Sequence, residues 1–453
     1  MTVDGVRLVV AGAGLRGIGY ARRAAATGAR VVAVAEPDPA RRAAFAAEFG
    51  VPAEHVYADW ADLAGAGRLA EAVVIATQDQ THADAAVAFA GLGYHILLEK
   101  PMATTEPDAL RITEAVDRAG VMLAVCHVLR YTPYTQALKK LLDEGAIGRL
   151  VNVQHLEPIG WWHFAHSFVR GHWNNSETSA PLLLTKSCHD IDWLLYLFGT
   201  EPSRVSSFGG LTHFRPEQRP EGAADRCLDC PLEPRCPYSA PRLYRSCLGD
   251  PAREFWPLSA VTRDHTPDGI DAALRTGPYG RCVYDADNNV VDHQVVAMEF
   301  PDGATCTFTM TAFTPMENRR TRLFGTHGQL DGDGRLLHLT DFRTGEQRTV
   351  DTGLTAGGTA ADGHGGGDEA IMDAFLGAVA TGNAKLLNSD AATSLAGHRV
   401  VWAAEQARTT GTITATPSPP DPSPLGPASS AQPARPSPLG RAQDRCFVSK
   451  PVL

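Results

Sequence analysis

The chain has 453 residues, of which 44% are hydrophobic, and it carries 51 acidic against 41 basic side chains, for a formal charge of −10. Because a single core rarely grows beyond about 250–300 residues, this length predicts two domains. An acidic chain lacks the basic surface that nucleic acid and anionic membranes attract, so we expect neither as a partner. The sequence shows neither a basic leader before an apolar segment nor a run of about 18 apolar residues, which favours a cytoplasmic location.

Short apolar runs alternate with helical periods over the first part of the chain. Predicted strands cover 6–11, 30–35, 72–76, 95–98 and 121–125, and predicted helices cover 15–27, 39–49, 81–91 and a segment capped by Thr104 or Thr105. Strands and helices that alternate in this way form doubly wound parallel sheets. We therefore predict an α/β protein whose residues 1–128 form a Rossmann dinucleotide-binding domain.

A glycine loop, Gly12-Ala13-Gly14-Leu15-Arg16-Gly17, joins the first predicted strand to the first helix. Its first two glycines permit the tight turn and the close backbone approach that a pyrophosphate needs, and its last glycine lets the helix pack closely on the strand. The N-terminus of the helix then faces the phosphates. The residues of this loop predicted to bind the cofactor are Gly12, Gly14, Leu15, Arg16 and Gly17.

An acidic residue, Glu36, closes the second predicted strand. A carboxylate at this position accepts hydrogen bonds from the ribose hydroxyls of a dinucleotide and repels a 2′-phosphate. Glu36 is therefore predicted to bind the cofactor and to favour NAD over NADP, although Arg41 and Arg42 follow closely in the sequence.

Two polar segments follow the next strands, Ala76–His82 and Leu97–Pro101. A partly desolvated lysine beside the nicotinamide, Lys100, can stabilise an alkoxide or share a proton shuttle. The proline after it restricts the backbone, and an unusual Lys–Pro peptide geometry is expected. The alternatives are a helix cap for His82 and a surface ion pair for Glu99 and Lys100. The predicted cofactor contacts of both segments are Thr77, Gln78, His82, Glu99 and Lys100.

A second, α+β domain with a largely antiparallel sheet is predicted for residues 129–410. Its predicted helices cover 133–144, 187–198, 368–381 and 390–408, and its clearest strands cover 290–300 and 304–313. The region near 214–289, rich in proline, cysteine and aspartate, is predicted as an irregular insertion. Residues 411–453, with their Pro- and Ser-rich stretch, are predicted as a disordered tail, because that stretch buries little apolar surface.

The helix predicted at 187–198 begins in the run Lys186-Ser187-Cys188-His189-Asp190. On a helix, Lys186, His189 and Asp190 would share one face. Oxidation of a secondary alcohol removes the hydroxyl proton as hydride leaves the same carbon, and a base with a pKa near neutrality suits that step. We predict His189 as this base. Lys186 is predicted as a catalytic residue that binds a hydroxyl group of the substrate. The alternative for His189 is a helix cap, and the alternative for Lys186 is a salt bridge to a nearby acid.

The segment before that helix, Gly160–Arg170, mixes aromatic rings with polar tips. Such a composition suits stacking on the apolar face of a sugar and hydrogen bonding to its hydroxyls, with core packing as the alternative. His163, His166 and Arg170 are therefore candidate substrate contacts. Arg130, just after the fifth predicted strand, is predicted to line the same cleft.

Nine cysteines in a chain without a secretion signal do not indicate a disulfide framework. Cys227, Cys230 and Cys236 lie close together in the predicted insertion, where a fourth thiolate would complete a structural zinc site. Spacing alone favours Cys247 as that ligand, and Cys282 is the other choice. An iron–sulfur cluster, reduced unpaired cysteines and a redox role are the alternatives to zinc.

The glycine loop, the Ala-Thr-x-x-x-x-His segment and the Glu-Lys-Pro motif, in this order, resemble the Gfo/Idh/MocA oxidoreductase family over roughly residues 5–410. The resemblance implies a Rossmann domain followed by an α/β domain whose open sheet often forms oligomer contacts. It also implies NAD(P) as cofactor, sugars or cyclitols as substrates, and catalytic roles for Lys100 and His189, with Asp192 in the same motif as a substrate ligand.

The second motif departs from the best-known members, many of which have an aspartate where this chain has Thr185. The Lys-Ser-Cys-His-Asp run is similar to that of a less characterised branch, so substrate details of the well-known enzymes do not carry over. Tyr279-Gly280-Arg281-Cys282 is similar to the same branch, and this similarity favours Cys282 as the fourth metal ligand.

These features predict an NAD-dependent oxidoreductase that transfers a hydride between nicotinamide and a secondary alcohol or ketone of a sugar, cyclitol or glycoside. One alternative is a redox-neutral glycosidase or epimerase that keeps NAD tightly bound, and another is a non-catalytic NAD-linked sensor. The expected partners are a sugar-like small molecule and further copies of the same chain.

Overall fold

The computed structural model describes residue 3, residues 5–353 and residues 363–416. No helix within these ranges is long and apolar enough to cross a membrane. Most of the predicted tail, from 417 onward, lies outside the described residues. The first residues of the predicted tail, 411–416, are described and contain a short strand, Thr414–Ala415, which pairs with Arg204 and Val205. Because this edge pairing holds the backbone, the folded region extends to at least residue 416, beyond the predicted boundary at 410.

The N-terminal part is a parallel sheet with helices on both faces. Its strands are β1 (Arg7–Ala11), β2 (Arg30–Ala35), β3 (Val56–Tyr57), β4 (Ala72–Ile75), β5 (His95–Leu98) and β6 (Leu123–Val125). Its helices are α1 (Leu15–Ala26), α2 (Pro39–Phe49), α3 (Trp60–Gly65), α4 (His82–Gly91) and α5 (Glu106–Ala119). The strand order β3-β2-β1-β4-β5-β6 reverses direction between β1 and β4, the position at which such sheets bind dinucleotides. The predicted Rossmann fold is confirmed.

Local capping signals set the ends of these helices. Asp38 and Thr105 are the N-caps of α2 and α5, and each side chain accepts a backbone N–H of the first turn. Gly50 and Gly120 end the same helices in the left-handed conformation that glycine adopts most easily. The capping role of Thr105 is thus confirmed.

A second, mixed sheet follows. Its strands are β7 (Leu150–Pro158), β8 (Arg204–Gly210), β9 (His293–Glu299), β10 (Thr305–Thr311), β11 (Arg320–Gly325), β12 (Gly328–Gly332), β13 (Leu336–Asp341), β14 (Gln347–Asp351) and β15 (Thr414–Ala415). They lie in the order β14-β13-β12-β11-β7-β10-β9-β8-β15. β7 and β10 run parallel, whereas the other pairs among these strands run antiparallel. The large, mostly antiparallel sheet predicted for the second domain is therefore confirmed.

Four helices lie along the chain between the Rossmann part and the cysteine-rich insertion. They are α6 (Pro133–Asp143), α7 (Trp161–Phe164), α8 (Leu182–Thr185) and α9 (Cys188–Phe198). The cysteine-rich insertion contains α10 (Ala240–Arg245), α11 (Pro251–Phe255) and α12 (Pro267–Thr276). The chain closes with α13 (Gly363–Thr381) and α14 (Ala391–Thr410).

The two closing helices return to the Rossmann sheet. Ile371 and Phe375 of α13 are buried in the core formed by Leu8 and Val10 of β1. Leu395 of α14 is buried in the core on the other face of that sheet. Since successive side chains of a strand point to opposite faces, the C-terminal helices cover both sides of the dinucleotide fold. This packing brings the start of α13 close to the glycine loop.

Candidate active site

A cleft of about 630 Å³ opens where β1, β4 and β5 end and where the second domain faces them. Many residues predicted from the sequence share its walls. Those that line it are Gly14, Leu15, Arg16, Thr77, Gln78, Glu99, Lys100, His163, His166, Lys186 and His189. The cleft therefore brings the predicted cofactor loop and the two predicted catalytic motifs together.

The backbone of the glycine loop fits a phosphate group. A Cβ on Gly12 would lie 2.3 Å from the carbonyl oxygen of Ala76, and one on Gly17 would lie 1.9 Å from that of Gly12. Gly14 has open space around it and is the N-cap of α1, whose first turn has no acidic residue and no side-chain cap. The free N–H groups and the helix dipole at this end attract an anion. The loop thus fits the pyrophosphate of a dinucleotide.

Glu36 lies under the glycine loop at the end of β2 and is 3% exposed. Its carboxylate accepts the backbone N–H groups of Ala13 and Asp38, both at 2.9 Å, and pairs with Arg41 at 2.8 Å. These contacts fix the carboxylate beside the loop, while Arg41 itself lines the cleft. Recognition of the cofactor ribose by Glu36 stays a prediction.

Lys100 extends from the end of β5 toward the second domain. Its Nζ donates a hydrogen bond to the backbone oxygen of Thr185, and the Lys100–Pro101 peptide bond is cis. Glu99 accepts hydrogen bonds from Arg16 Nε at 2.6 Å and from the Tyr20 hydroxyl at 2.9 Å. Burial opposes ionisation of Glu99, but the positive charge of Arg16 holds the pKa of its carboxyl below the usual range. Arg16 and Glu99 thus neutralise each other beside Lys100.

His82 does not line the cleft, and its role as a cofactor contact stays a prediction. The ring is fully buried, with Nδ1 2.8 Å from the Pro101 oxygen and Nε2 3.3 Å from the Thr77 oxygen. The N-cap of α4 is Thr81, with no side-chain cap. Between these two carbonyls, His82 fixes the segments that carry Thr77 and Lys100 relative to each other.

His189 lies in the first turn of α9 and is 3% exposed. Its Nδ1 has no hydrogen-bond partner among the described residues. Burial first, and then the charge of Lys100, lower the pKa of His189 well below its ordinary value. The ring is therefore neutral at physiological pH, and a neutral imidazole offers a lone pair to a hydroxyl group in the cleft.

Lys186 lies between α8 and α9 and forms an ion pair with Glu157, with Nζ 2.8 Å from Oε1. The structure therefore shows the salt bridge that was the alternative for Lys186, while the side chain also lines the cleft. Arg319 binds the second oxygen of Glu157 at 3.0 Å and also contacts Asp190. Asp190 is fully buried and accepts His155 Nε2 at 3.2 Å, so it points away from the cleft. Sequence reasoning missed Glu157 and Arg319.

Three predicted substrate contacts, Arg130, Arg170 and Asp192, do not line the cleft, and their contact with a substrate stays a prediction. Arg130 and Asp192 bind each other at 2.6 Å and are 5% and 1% exposed. Arg170 donates to the backbone oxygens of Tyr238 and Arg281 at 2.9 and 2.8 Å. A buried charge must find a partner in the interior, and these partners lie far away in the sequence.

His163 and His166 do line the cleft, together with an aromatic side chain of the insertion. Burial lowers the pKa of His163 well below its ordinary value and that of His166 to about 3. Trp256 packs edge-on to both rings, with centroid distances of 4.8 and 5.7 Å. The insertion also reaches the Rossmann part, where Arg263 pairs with Asp38 at 2.7 Å. The sequence did not indicate that the insertion forms part of the cleft.

The predicted zinc site is not assembled. Among the described residues, no group of three or more His, Cys, Asp or Glu side chains is arranged to hold a metal ion. Cys227, Cys230, Cys236 and Cys282 instead surround a cavity of about 280 Å³ that Arg170 also lines. Arg170 Nη2 donates to the sulfur of Cys227 at 3.3 Å, and burial raises the pKa of Cys236 and Cys282. The second candidate for the fourth ligand, Cys247, does not line this cavity and is buried in a small core that also contains Cys227.

One histidine that sequence reasoning missed also lines the cleft. His364 stands at the start of α13, and its ring centroid lies 6.1 Å from that of His189. The signal that would have indicated it is the glycine-rich run Gly363-His364-Gly365-Gly366-Gly367, which places a polar side chain between flexible residues just before a helix.

A glycine loop at the reversal point of a Rossmann sheet, facing a lysine and a histidine from two different domains, defines a two-domain, dinucleotide-dependent oxidoreductase. The chain belongs to the GFO_IDH_MocA oxidoreductase family. The model of its NAD-binding Rossmann fold matches residues 6–127, and the model of its C-terminal alpha/beta domain matches residues 139–414. The predicted family is thereby confirmed, and the chain is an NAD(P)-dependent oxidoreductase.

Similar proteins fall in the same class. The chain is 27% identical over 326 residues to the putative oxidoreductase YteT of Bacillus subtilis, an alignment covering 67% of this chain and 72% of YteT. It is 35% identical over 224 residues to inositol 2-dehydrogenase of Streptomyces avermitilis, covering 48% of this chain and 60% of that enzyme. A solved levoglucosan dehydrogenase, in complex with NADH and levoglucosan, has the same fold, with a TM-score of 0.66, 19% identity, and coverage of 91% and 100% of the two chains.

Proposed function

We propose that the protein transfers a hydride between NAD and a secondary alcohol or ketone of a sugar, cyclitol or glycoside. The observation that carries this proposal is the shared cleft, in which Lys100 and His189 face the glycine loop from two domains. The names of similar proteins, inositol 2-dehydrogenase, levoglucosan dehydrogenase and 1,5-anhydro-D-fructose reductase, support the substrate class.

The residues of the cleft have distinct tasks in this reaction. NAD, when bound, accepts the hydride or supplies it. Gly14, Leu15, Thr77 and Gln78 would hold the cofactor, since they line its end of the cleft. The positive charge of Lys100 stabilises the negative charge that develops on the substrate oxygen. Glu36 supports a preference for NAD over NADP, because its buried carboxylate repels a 2′-phosphate.

A second candidate function, a redox-neutral reaction with NAD bound throughout turnover, is favoured by the position of the insertion. Arg263 of the insertion pairs with Asp38 at the start of α2, at 2.7 Å. Trp256 and Arg263 line the cleft together with the cofactor loop. Such a cover slows release of a bound dinucleotide and suits a cofactor that is regenerated in place.

Self-association through the outer face of the second sheet is part of the proposal. Phe208 and Val295, which pair across β8 and β9, are 71% and 38% exposed. Exposed apolar side chains on neighbouring strands are typical of an interface between protein chains.

The test is a panel of sugars, cyclitols and glycosides offered to the purified protein with NAD or NADP. Absorbance of NADH and chromatography of products are followed together, with Lys100→Met as the inactive control. NADH that accumulates with product supports the first function, and product without net NADH supports the second. A wild-type protein that binds NADH but transforms no member of the panel would contradict both.

A further inference from the structure

His364 enters the same cleft as His189 but has different surroundings. The two ring centroids lie 6.1 Å apart, with the ring planes at 67°. Both rings line the cleft with Lys100 and the glycine loop. Two histidines therefore face the region in which a substrate hydroxyl would meet the cofactor.

An ionised carboxylate orients His364. Its Nδ1 lies 3.1 Å from both oxygens of Asp368, which in turn bind Arg16 at 2.6 and 2.7 Å. Burial opposes ionisation of Asp368, but the charge of Arg16, together with hydrogen bonds from Arg16 and His364, holds the pKa of its carboxyl well below the usual range. A carboxylate accepts only, so Nδ1 carries the hydrogen and Nε2 carries the lone pair.

The backbone of His364 is held in an unfavourable conformation. Its φ and ψ are 50° and 46°, and Gly365 and Gly366 continue the left-handed path at φ 63° and 83°. A non-glycine residue is energetically disfavoured in this region, because its Cβ comes too close to the following carbonyl oxygen. A Cβ on Gly367 would lie 2.5 Å from the Val128 oxygen, so the turn is packed closely against the Rossmann part. A strained residue that the surrounding structure maintains beside a cleft indicates a function for its side chain.

His189 lacks the support that His364 has. Its Nδ1 has no hydrogen-bond partner among the described residues, and Lys100 stands beside it. Burial and that positive charge both disfavour a protonated ring at His189. The carboxylate of Asp368, by contrast, balances the positive charge that His364 acquires when Nε2 takes up a proton. Of the two rings, His364 is the one whose Nδ1 has a carboxylate partner among the described residues.

We infer, on the basis of the proposed function, that His364 accepts the substrate hydroxyl proton, that Asp368 positions it, and that His189 orients the hydroxyl through a hydrogen bond. The O–H bond breaks and its proton passes to Nε2 of His364. The electron pair of the adjacent C–H bond leaves with its hydrogen as hydride to the bound NAD, and a C=O bond forms. The carbon is oxidised by two electrons, and in reduction the protonated His364 returns the proton.

The decisive variant is His364→Gly, because glycine adopts the left-handed backbone without strain. We expect kcat to fall about 100- to 10,000-fold, the usual contribution of a general base, with NADH affinity unchanged. Added imidazole restores part of the rate, because it occupies the space of the missing ring and accepts the proton. His364→Asn tolerates the same backbone and fills that space without a basic nitrogen, so it stays slow with or without imidazole. The matched control is His338→Gly, an exposed histidine of β13.

Wild-type kcat in His364→Gly would overturn the inference, and so would a loss of rate that imidazole does not restore. If the wild-type protein transforms no substrate, the proposed function fails, and the inference is judged on the protein alone by ¹H–¹⁵N NMR of the histidine rings. We expect one ring signal, absent from His364→Asn, to carry its proton on Nδ1 and to lose this preference in Asp368→Asn. A proton on Nε2 of His364 would overturn the inference.

Discussion

The guanidinium of Arg16 binds both carboxylate oxygens of Asp368, at 2.6 and 2.7 Å, across 352 residues of sequence. Arg16 belongs to the glycine loop and also binds Glu99, the neighbour of Lys100. Asp368 in turn binds His364. One continuous set of charged contacts therefore joins the cofactor loop to the lysine and the histidine of the cleft.

Asp368→Asn should lower the free energy of unfolding at neutral pH and make this free energy depend less on pH in the acid range. The pKa of Asp368 is lower in the folded than in the unfolded protein, so its ionised form stabilises the fold. This contribution to the free energy of unfolding is complete above the ordinary carboxyl pKa, near 4, and is lost as the pH falls below it. We expect the variant to lose about 2–3 kcal/mol at pH 7 and to decline less steeply than wild type between pH 5 and 3. Urea unfolding across this range measures both effects. Asp373→Asn, an exposed residue of the same helix, is the control, and parallel curves for Asp368→Asn and wild type would contradict the prediction.

Lys100→Met should abolish most catalysis without releasing the cofactor. In the proposed reaction its Nζ stabilises charge that develops only during hydride transfer, so we expect kcat to fall about 100- to 1,000-fold while NADH binding persists. Steady-state kinetics and NADH fluorescence separate the two quantities. Lys140→Met, a lysine whose side chain is 74% exposed, is the matched control. Retention of wild-type kcat in Lys100→Met would exclude the assigned role.

Glu36→Gln should reduce the discrimination between NAD and NADP. Glutamine keeps the hydrogen-bonding shape but removes the charge that repels a 2′-phosphate, and it leaves Arg41 without its ionic partner at 2.8 Å. We expect the ratio of the two dissociation constants to fall about tenfold, which corresponds to about 1.4 kcal/mol. Titration calorimetry with both cofactors gives the ratio. Glu48→Gln, a residue of α2 that pairs with Arg22, should leave this ratio unchanged. An unchanged ratio in Glu36→Gln would remove Glu36 from cofactor selection.

Arg263→Ala should speed release of NADH. The residue connects the insertion to Asp38, and its hydrogen bond is the main reason that the pKa of Asp38 is lowered to about 2. Because the pair is largely exposed, we expect a change of only about two- to fivefold in the dissociation rate. Stopped-flow fluorescence measures this rate. Arg343→Ala removes another exposed ion pair, with Asp341, and should have no effect; equal release rates in Arg263→Ala and wild type would show that the insertion does not retain the cofactor.

The features that the sequence predicted correctly depend on neighbours along the chain. The glycine loop, the cap of α5 and the Glu-Lys-Pro segment each lie within a few residues, so their local chemistry already specifies a turn, a helix end or a strand end. The order of strands and helices then sufficed for the Rossmann fold, because right-handed crossovers allow few topologies.

The features that the sequence did not predict depend on partners far away. Arg130 and Arg170 are residue types typical of substrate ligands, but their acceptors lie up to 258 and up to 111 residues away and place them in the interior. Sequence reasoning also missed His364. Its place in the cleft depends on a left-handed backbone and on Asp368, whose own partner is the distant Arg16. No period or motif in a single sequence reports which distant charges meet.

The pairing of Arg16 with Asp368 has a consequence for biosynthesis. At about 5–20 residues per second, a ribosome needs roughly 20–70 s to add the 352 residues that separate them. During that interval Arg16 has Glu99 but not yet Asp368 as a partner, and the Rossmann sheet is not yet covered by α13 and α14. A chain that stops before α13 would retain every cofactor motif and still lack the helix that completes the domain, so we expect such truncated chains to depend on chaperones.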